Sequence, residues 1–239
     1  MNKKALLGLG GFDVLLIIIT FFAIAALAMT TYNNQQIPDY QASITKETTT
    51  LINTYTEGIH AITYHEQLTN QAACSATQQL LEQINNCNEQ CPTTEEKIYN
   101  TYLPHFTTQL YKNYATAPYH YQQNWYKTYI EHYTIKSYTT PTLTLGEQYP
   151  YTINLPLNQP LPFPPTTIIS ITNPSYSPEQ INCIKQYTGK TLAQHCGLTL
   201  PPAITLEKKE TNLIYTGTLP LTNCIENTLP LTITIPIKT

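Results

Sequence analysis

An apolar segment near the N-terminus constrains this chain of 239 residues more than any other feature. Ala5 to Met29 reads ALLGLGGFDVLLIIITFFAIAALAM, with Asp13 as its one charged residue. At about 1.5 Å per residue, a helix of this length reaches roughly 37 Å, enough to cross a hydrocarbon core of about 30 Å. Backbone amides in lipid must be satisfied internally, so the segment is predicted to be a transmembrane helix within residues 1–36.

Basic residues near this segment set its predicted orientation. Lys3 and Lys4 precede it, and the next lysine along the chain is Lys46. The positive-inside rule therefore predicts a single-pass protein with a cytoplasmic N-terminus, an extracellular C-terminal bulk and membrane lipid as a partner. One alternative stays open, because signal peptidase cleavage after Ala28 would release the remainder of the chain in free form.

The composition excludes one class of partner. Charged residues make up 11% of the chain, against about 25% in ordinary soluble proteins. The net charge is only −3, so there is no basic field to attract nucleic acid. We therefore predict no nucleic-acid partner.

The cysteines of this chain all lie on the predicted outer side. They are Cys74, Cys87, Cys91, Cys183, Cys196 and Cys224. An even number of cysteines outside the membrane indicates disulfide bonds. Three lie in each half of the chain, so complete pairing requires at least one bridge between the halves. Metal binding is the alternative, but no second pair has zinc-finger spacing, and we predict no metal or other cofactor.

Residues 40–118 are predicted to form an antiparallel helical hairpin. Apolar residues recur at helical intervals from Tyr40 to Asn86. After a short turn, Thr93 and Glu96 have the spacing of a capping box, which begins a second helix. Pro104 lies in the interior of this second helix and is expected to kink it.

Residues 119–239 are predicted to form a Pro-rich, disulfide-stapled β-domain. Fourteen of the 18 prolines fall from Pro141 onward, which disfavours long helices there. Alternation with a period of two predicts strand structure over 129–136. Further strands are predicted at Tyr149–Leu155, Thr166–Thr172, Ala203–Lys208, Asn212–Thr218 and Pro230–Ile237, with a short helix from Ser177 through Tyr187. The predicted fold class is α+β: a transmembrane helix, a helical hairpin and an antiparallel, sandwich-like β-domain.

No arrangement of residues predicts catalysis. The chain has no Gly-x-Ser-x-Gly motif and no glycine loop of the kind that binds phosphate. His60 and His65 lie five positions apart and so miss the i, i+4 spacing of HExxH metalloproteases. We expect both histidines on an exposed helix surface, and we predict a non-enzymatic protein without catalytic or cofactor-binding residues.

Tyrosines are concentrated in the middle of the chain. Twelve of the 19 lie between Tyr99 and Tyr151, together with Trp125. Tyrosine suits half-buried positions, so we interpret this cluster as the seam between the helical hairpin and the β-domain. A sugar-stacking or adhesive surface that includes Trp125 is the alternative.

The N-terminal residues carry one resemblance to a known family. Lys3-Lys4-Ala5, followed by the segment LLGLGG from Leu6, resembles the class III signal of archaeal type IV pilins and archaellins. In that family a dedicated peptidase cuts after a small residue that follows a basic stretch, which here implies processing between Ala5 and Leu6. The resemblance is confined to the N-terminal segment, and it implies helices bundled into a filament with the β-domain outside.

Asp13 is a candidate assembly residue. In a packed bundle it would pair with the freed N-terminal amine of a neighbouring subunit; alternatively, it lies near the cytoplasmic headgroups, where a carboxylate costs less than at mid-bilayer. The combined expectation is a membrane-anchored, extracytoplasmic structural protein, pilin-like, that binds itself or other envelope proteins. A non-enzymatic adhesin or receptor-binding ectodomain, cellular or viral, is the alternative.

Overall fold

The computed structural model describes most of the chain, namely residues 11–32, 38–87, 91–122, 125–187, 189 and 191–237. Within the helices, the side chains of residues 11–15, 31–32 and 38–43 lie outside the described part. The predicted processing residues Ala5 and Leu6 are among those not described, and Asp13 is described only as backbone.

The fold is α+β, as the sequence predicts, with about 49% helix. Its helices are α1 (Gly11–Tyr32), α2 (Pro38–Asn85), α3 (Glu95–Ala115), α4 (Pro165–Thr172), α5 (Pro178–Gln186) and α6 (Leu192–His195). Its strands are β1 (Thr128–Glu131), β2 (Thr134–Ser137), β3 (Thr142–Leu145), β4 (Tyr151–Asn154), β5 (Asn158–Pro160), β6 (Ile204–Lys209), β7 (Asn212–Pro220) and β8 (Thr228–Pro236).

The chain divides into two compact units, the first of which comprises Met1–Ile59 and Thr144–Tyr151. This unit contains α1, the side chains of which are mostly apolar and exposed. Leu16, Ile17, Ile18 and Ile19 are each 41–61% exposed although they are consecutive and point in four directions around the helix. The predicted transmembrane segment begins in residues outside the described part.

No helix among the residues that the structure describes is long and apolar enough to cross a membrane.

The segment from 144 to 151 approaches α2 closely within the same unit. Gly146 has φ +79°, and a Cβ built on it would lie 2.8 Å from Cγ2 of Thr54. The rings of Tyr55 and Tyr151 lie close together at a tilt of 55°, with centroids 5.9 Å apart. Glycine is therefore required at position 146 both by backbone conformation and by lack of space.

The second unit comprises His60–Leu143 and Thr152–Thr239, and it contains the predicted helical hairpin. Tyr102 donates its hydroxyl proton to the carbonyl of Ala73 (3.1 Å), and Asn113 donates to the carbonyl of Leu68 (3.2 Å). Because residues farther along α3 contact residues nearer the start of α2, the two helices run antiparallel, which confirms the prediction.

α3 follows its predicted pattern with one shift. The buried residues of α3 recur at four-residue steps: Ile98, Tyr102, Phe106, Leu110 and Tyr114. The N-cap is Thr94 rather than Thr93, and its hydroxyl accepts the backbone N–H of Lys97. The helix continues past Pro104 to Ala115. The predicted start was wrong by one residue because both threonines precede the acidic pair and either one can cap.

Among the described residues, the strands form three small groupings, in the orders β1-β2-β5, β3-β4 and β6-β7-β8, and the two three-stranded groupings are antiparallel. The alternating stretch 129–136 is a hairpin rather than one strand, since β1 pairs with β2. His132 and Tyr133 form its two-residue turn, and both have positive φ (48° and 59°). A two-residue turn of type I′ requires positive φ at both positions, which is why such turns usually contain asparagine or glycine. His132 and Tyr133 occupy these positions here, so the sequence lacks the usual sign of the turn.

The predicted C-terminal sheet is confirmed. β7 lies in the centre, paired with β6 and β8. Alternate residues of these strands are buried, including Leu206, Tyr215 and Ile233. The period of two in segments such as PLTITIPI thus buries one face of the sheet.

One predicted strand is a helix. Thr166–Thr172 lies within α4, so the strand prediction was wrong. Pro165 occupies the first turn, where its missing N–H costs nothing, and Ile168 and Ile171 are buried one helical turn apart. The predicted short helix after Ser177 is confirmed as α5, which Ser177 and Gln180 begin with a capping box.

Candidate functional site

All six cysteines are paired in disulfide bonds. The pairs are Cys74–Cys224, Cys87–Cys91 and Cys183–Cys196. The first pair joins the two halves of the chain, as the predicted complete pairing requires. In the described part of the chain, no group of three or more His, Cys, Asp or Glu side chains is placed to hold a metal ion.

Two of the bridges are local. Cys87–Cys91 closes the connection between α2 and α3, and Cys183–Cys196 joins α5 to the residue that ends α6. Each closes a short loop, of sequence separation 4 and 13. These bridges fix local connections and leave the long-range organisation to the third bridge.

The Cys74–Cys224 bridge belongs to a wider set of contacts that we call the clasp: Cys74, Cys224, Asn70, Asn223 and Gln159. The amide of Asn70 donates to the carbonyl of Asn223 at 2.5 Å, next to the disulfide. The amide of Gln159 donates to Oδ1 of Asn70 at 3.2 Å. The clasp therefore joins α2 to the connection between β7 and β8 both covalently and through polar side chains.

His65 is the centre of a buried polar cluster that the sequence interpretation missed. It is 3% exposed, so the expectation of a surface histidine was wrong; His60 is exposed as expected. The hydroxyl oxygen of Tyr114 lies 2.8 Å from Nδ1 of His65, and the ring of Tyr126 stacks on the imidazole with centroids 5.9 Å apart. Tyr121 stacks in turn on Tyr114 at 4.5 Å. We call these four side chains the His65 cluster.

The hydrogen bonds fix the protonation of His65. Nε2 lies 3.3 Å from the carbonyl oxygen of Pro156, which can only accept, so Nε2 carries the proton. Nδ1 is then the acceptor, and the hydroxyl of Tyr114 donates to it. The hydroxyl of Tyr126 donates to the carbonyl of Leu155 at 2.9 Å. His65 is therefore a neutral imidazole with both nitrogens satisfied.

Burial governs the electrostatics of the cluster. It lowers the pKa of His65 below its ordinary value, because the charged imidazolium is poorly solvated there. The same burial raises the pKa of Tyr114, Tyr121 and Tyr126 above that of free tyrosine. All four groups are therefore neutral near pH 7, and the cluster contains neither a carboxylate nor an activated nucleophile. Its chemistry is that of a polar network that orients packed elements.

Part of the tyrosine cluster lies at the seam that the sequence predicts, whereas Tyr133 and Tyr138 of the same cluster are exposed. Tyr126 and His65 contact the backbone that follows β4, and Tyr102 packs edge-on against Phe163 with centroids 5.4 Å apart. Trp125 is half-buried and donates its Nε1 proton to the side chain of Gln122 at 2.9 Å. The hydroxyl of Tyr102 binds the carbonyl of Ala73 within the pair of helices, and the hydroxyl of Tyr126 binds the carbonyl of Leu155 after β4.

A different group of aromatic side chains lies at the surface. Tyr129 and Tyr138, on and next to the β1-β2 hairpin, stack with centroids 4.3 Å apart. Tyr138 is 75% exposed, and Tyr133 at the turn is also exposed. The alternative interpretation of the sequence was an adhesive surface that includes Trp125, whereas the exposed Tyr133 and Tyr138 lie in and next to this hairpin.

One sequence signal would have located His65. Along α2, Ala61, Leu68, Ala72 and Ala76 are all buried, at steps of four or seven residues. His65 falls on this same stripe, four residues after Ala61 and three before Leu68. A polar residue within an apolar stripe is buried together with its neighbours and must find partners.

No protein-family model, curated protein or solved structure matches this chain.

Proposed function

We propose that this protein is a membrane-anchored, extracytoplasmic structural protein of the cell surface, and that the apolar segment Ala5–Met29 is its anchor. The observation that carries this proposal is the exposure of α1. Its exposed large apolar side chains are Leu16, Ile17, Ile18, Ile19, Phe21, Phe22, Ile24, Leu27 and Met29. A helix that is apolar around its whole circumference is stable inside a large core or inside lipid.

Lipid is the occupant that fits this surface best. Each of these side chains gains on the order of 1–2 kcal/mol when its exposed part leaves water, so a helix left bare would be strongly driven to associate. A single protein partner covers one side of a helix, whereas lipid covers all sides. Exposed apolar patches of this extent mark interaction sites rather than ordinary surface.

The disulfides support a location outside the cytoplasm for the remainder. All six cysteines are bridged, and disulfides persist in oxidising compartments. With Lys3 and Lys4 before the apolar segment, the positive-inside rule gives the same orientation.

Membrane extraction tests the anchor. Alkaline carbonate should leave the wild-type protein in the membrane pellet, and the double substitution Phe21→Asp with Ile24→Asp should move it to the supernatant. A carboxylate in mid-helix costs on the order of 2.5–3.5 kcal/mol per residue in lipid. The matched control is Ile225→Asp, because Ile225 is fully exposed in the β7-β8 connection, far along the chain from the anchor. Carbonate release of the wild type contradicts the proposal.

Within this proposal, a pilin-like filament subunit is the more specific role. Its support is the resemblance of the segment around Ala5 and Leu6 to the class III signal, together with Asp13 as a partner for a freed amine. Sequencing of the mature N-terminus tests it: a start at Leu6 supports filament assembly. A retained Met1 supports a simple anchor, and a start near Thr30 supports free secretion.

A second candidate function, a non-enzymatic adhesin, is favoured by the exposed tyrosines of the β1-β2 hairpin. The exposed ring of Tyr138, stacked on the half-buried Tyr129, offers an apolar face to sugars or to another protein. Binding to a glycan array that is lost with Tyr138→Ala and retained with Trp125→Phe would support this function. If the wild type binds no glycan, the adhesin function loses its support.

A further inference from the structure

We propose that the Cys74–Cys224 bridge carries tension across this protein, so that a force applied between its two ends bypasses the chain between the two cysteines. The source of such a force, an anchor in the membrane, rests on the proposed function. The bypass itself depends only on the covalent connections. It assigns the bridge a mechanical function in addition to its contribution to stability.

The covalent path through the bridge is short. α2 is a continuous helix from Pro38 to Asn85, and Cys74 lies in its C-terminal third. The bridge leads from there to Cys224, and β8 begins four residues later at Thr228. The two bridged cysteines are separated by 150 positions in the sequence, and the segment between them contains most of the second unit. The covalent path for tension therefore runs from α2 to β8 without following the backbone of α3 or of the strands from β1 to β7.

Polar contacts hold the junction in register on both sides of the disulfide. On the side of the loop, Asn70 binds the carbonyl of Asn223 at 2.5 Å. On the side of the strand, the backbone N–H of Thr232 donates to Oδ1 of Asn85 at 2.9 Å. β8 is an edge strand that pairs only with β7 among the described strands, and Asn85 satisfies one N–H of its outer edge. α2 and β8 are thus joined at two points along their lengths.

The bypassed region contains the parts of the molecule that force would otherwise unfold. Small sheets held by hydrogen bonds unfold at loads that a covalent S–S bond withstands. The other two bridges protect only the short loops that they close. The Cys74–Cys224 bridge is therefore the one that keeps the segment with Tyr129, Tyr138 and the cluster partners of His65 off the path of the load.

Single-molecule force spectroscopy on the full chain in detergent micelles, with a handle at each end, tests the proposal. The residues before Cys74 and after Cys224 would give an end-to-end length of at most on the order of 300 Å when fully extended, at about 3.3–3.6 Å per residue. We expect the oxidised wild type to stop at that length. The C74S/C224S variant should release on the order of 450 Å more. The matched control C183S/C196S should leave the length unchanged, because the loop that it opens lies within the segment between Cys74 and Cys224.

If the variants fail to fold, a measurement on the wild type alone still tests the proposal. The same molecules pulled with and without a thiol reductant should differ by on the order of 500 Å, since reduction opens all three bridges. An oxidised wild type that releases its whole length overturns the proposal, as does a C74S/C224S variant of unchanged length. The measurement is independent of the membrane, so a failure of the anchor appears only in the carbonate extraction, and a failure of the bypass appears only here.

Discussion

The hydroxyl oxygen of Tyr114 lies 2.8 Å from Nδ1 of His65, and this contact joins α3 to α2 inside the core. The imidazole can accept this bond because its other nitrogen donates to the carbonyl of Pro156. The pair thus fixes both the tautomer of the histidine and the position of the backbone that follows β4. A neutral, fully satisfied histidine is compatible with deep burial, whereas an unsatisfied one is costly.

Tyr114→Phe should lower the free energy of unfolding by about 1–3 kcal/mol, because it leaves Nδ1 of His65 buried without a donor. Urea denaturation should show a lower midpoint at an unchanged m-value. The control is Tyr138→Phe, which removes a hydroxyl from an exposed ring and should change stability by less than about 0.5 kcal/mol. Equal effects of the two substitutions would contradict the assigned hydrogen bond.

Stability should decrease as the pH falls below 6.5. Burial lowers the pKa of His65 below its ordinary value of 6.5, so the unfolded chain takes up this proton before the folded chain does. The contribution is fully present above pH 6.5 and is lost below it, by at most about 1.4 kcal/mol per pH unit. Unfolding free energies between pH 7 and 5.5 measure this slope.

Two variants assign that slope to one group. His60→Gln should keep it, because His60 is exposed on the same helix. His65→Gln should flatten it, since Tyr114, Tyr121 and Tyr126, which face the imidazole, remain neutral throughout this range. The carboxylates of Glu131 and Glu179 have a lowered pKa and contribute below the chosen interval. A slope that persists in His65→Gln would exclude His65 as its source.

Local periodicity predicted the parts of the fold in which burial follows sequence. The four-residue steps of α3 and the alternation of β8 each reflect one buried face, and both were identified. α4 was misassigned because Ile168, Ile169 and Ile171 favour strands intrinsically, while burial of Ile168 and Ile171 on one side selects a helix. Tertiary packing decided between two conformations that the local sequence allows.

The candidate site was harder to predict because its members are distant in sequence. Tyr114 and Tyr126 lie about fifty and sixty residues after His65, and no local pattern links them. The requirement for a bridge between the halves followed from counting the cysteines. The choice of Cys74 and Cys224 required the fold, since it depends on which turn of α2 meets the β7-β8 connection.

Gly217→Ala should destabilise the protein by about 3 kcal/mol through steric conflict with β6. A Cβ at this position would lie 2.1 Å from the carbonyl oxygen of Ala203 and 2.9 Å from Cδ1 of Ile204. The comparison is Gly197→Ala, where nothing lies within 4 Å of the new Cβ and φ is +61°. That substitution should cost only ~1 kcal/mol of backbone strain. Thermal unfolding of both variants should give this order; the reverse order would contradict the close approach of β6 and β7.

Removal of the disulfides should destabilise the protein in order of loop length. In the chain-entropy model, loss of the Cys74–Cys224 bridge costs about 5 kcal/mol, loss of Cys183–Cys196 about 3 and loss of Cys87–Cys91 about 2. Paired serine substitutions measured by urea denaturation test this order. A Cys87/Cys91 variant less stable than the Cys74/Cys224 variant would show that the long bridge does not restrict the unfolded chain as proposed.

The central claim is that an apolar tether holds the remainder of the chain outside the cell. Its most direct test is the addition of protease to intact cells that express the protein with an epitope after residue 239. The account predicts that the epitope signal is lost from intact cells while a cytoplasmic marker remains uncut. Survival of the epitope in intact cells, followed by its loss once the cells are lysed, would contradict the account.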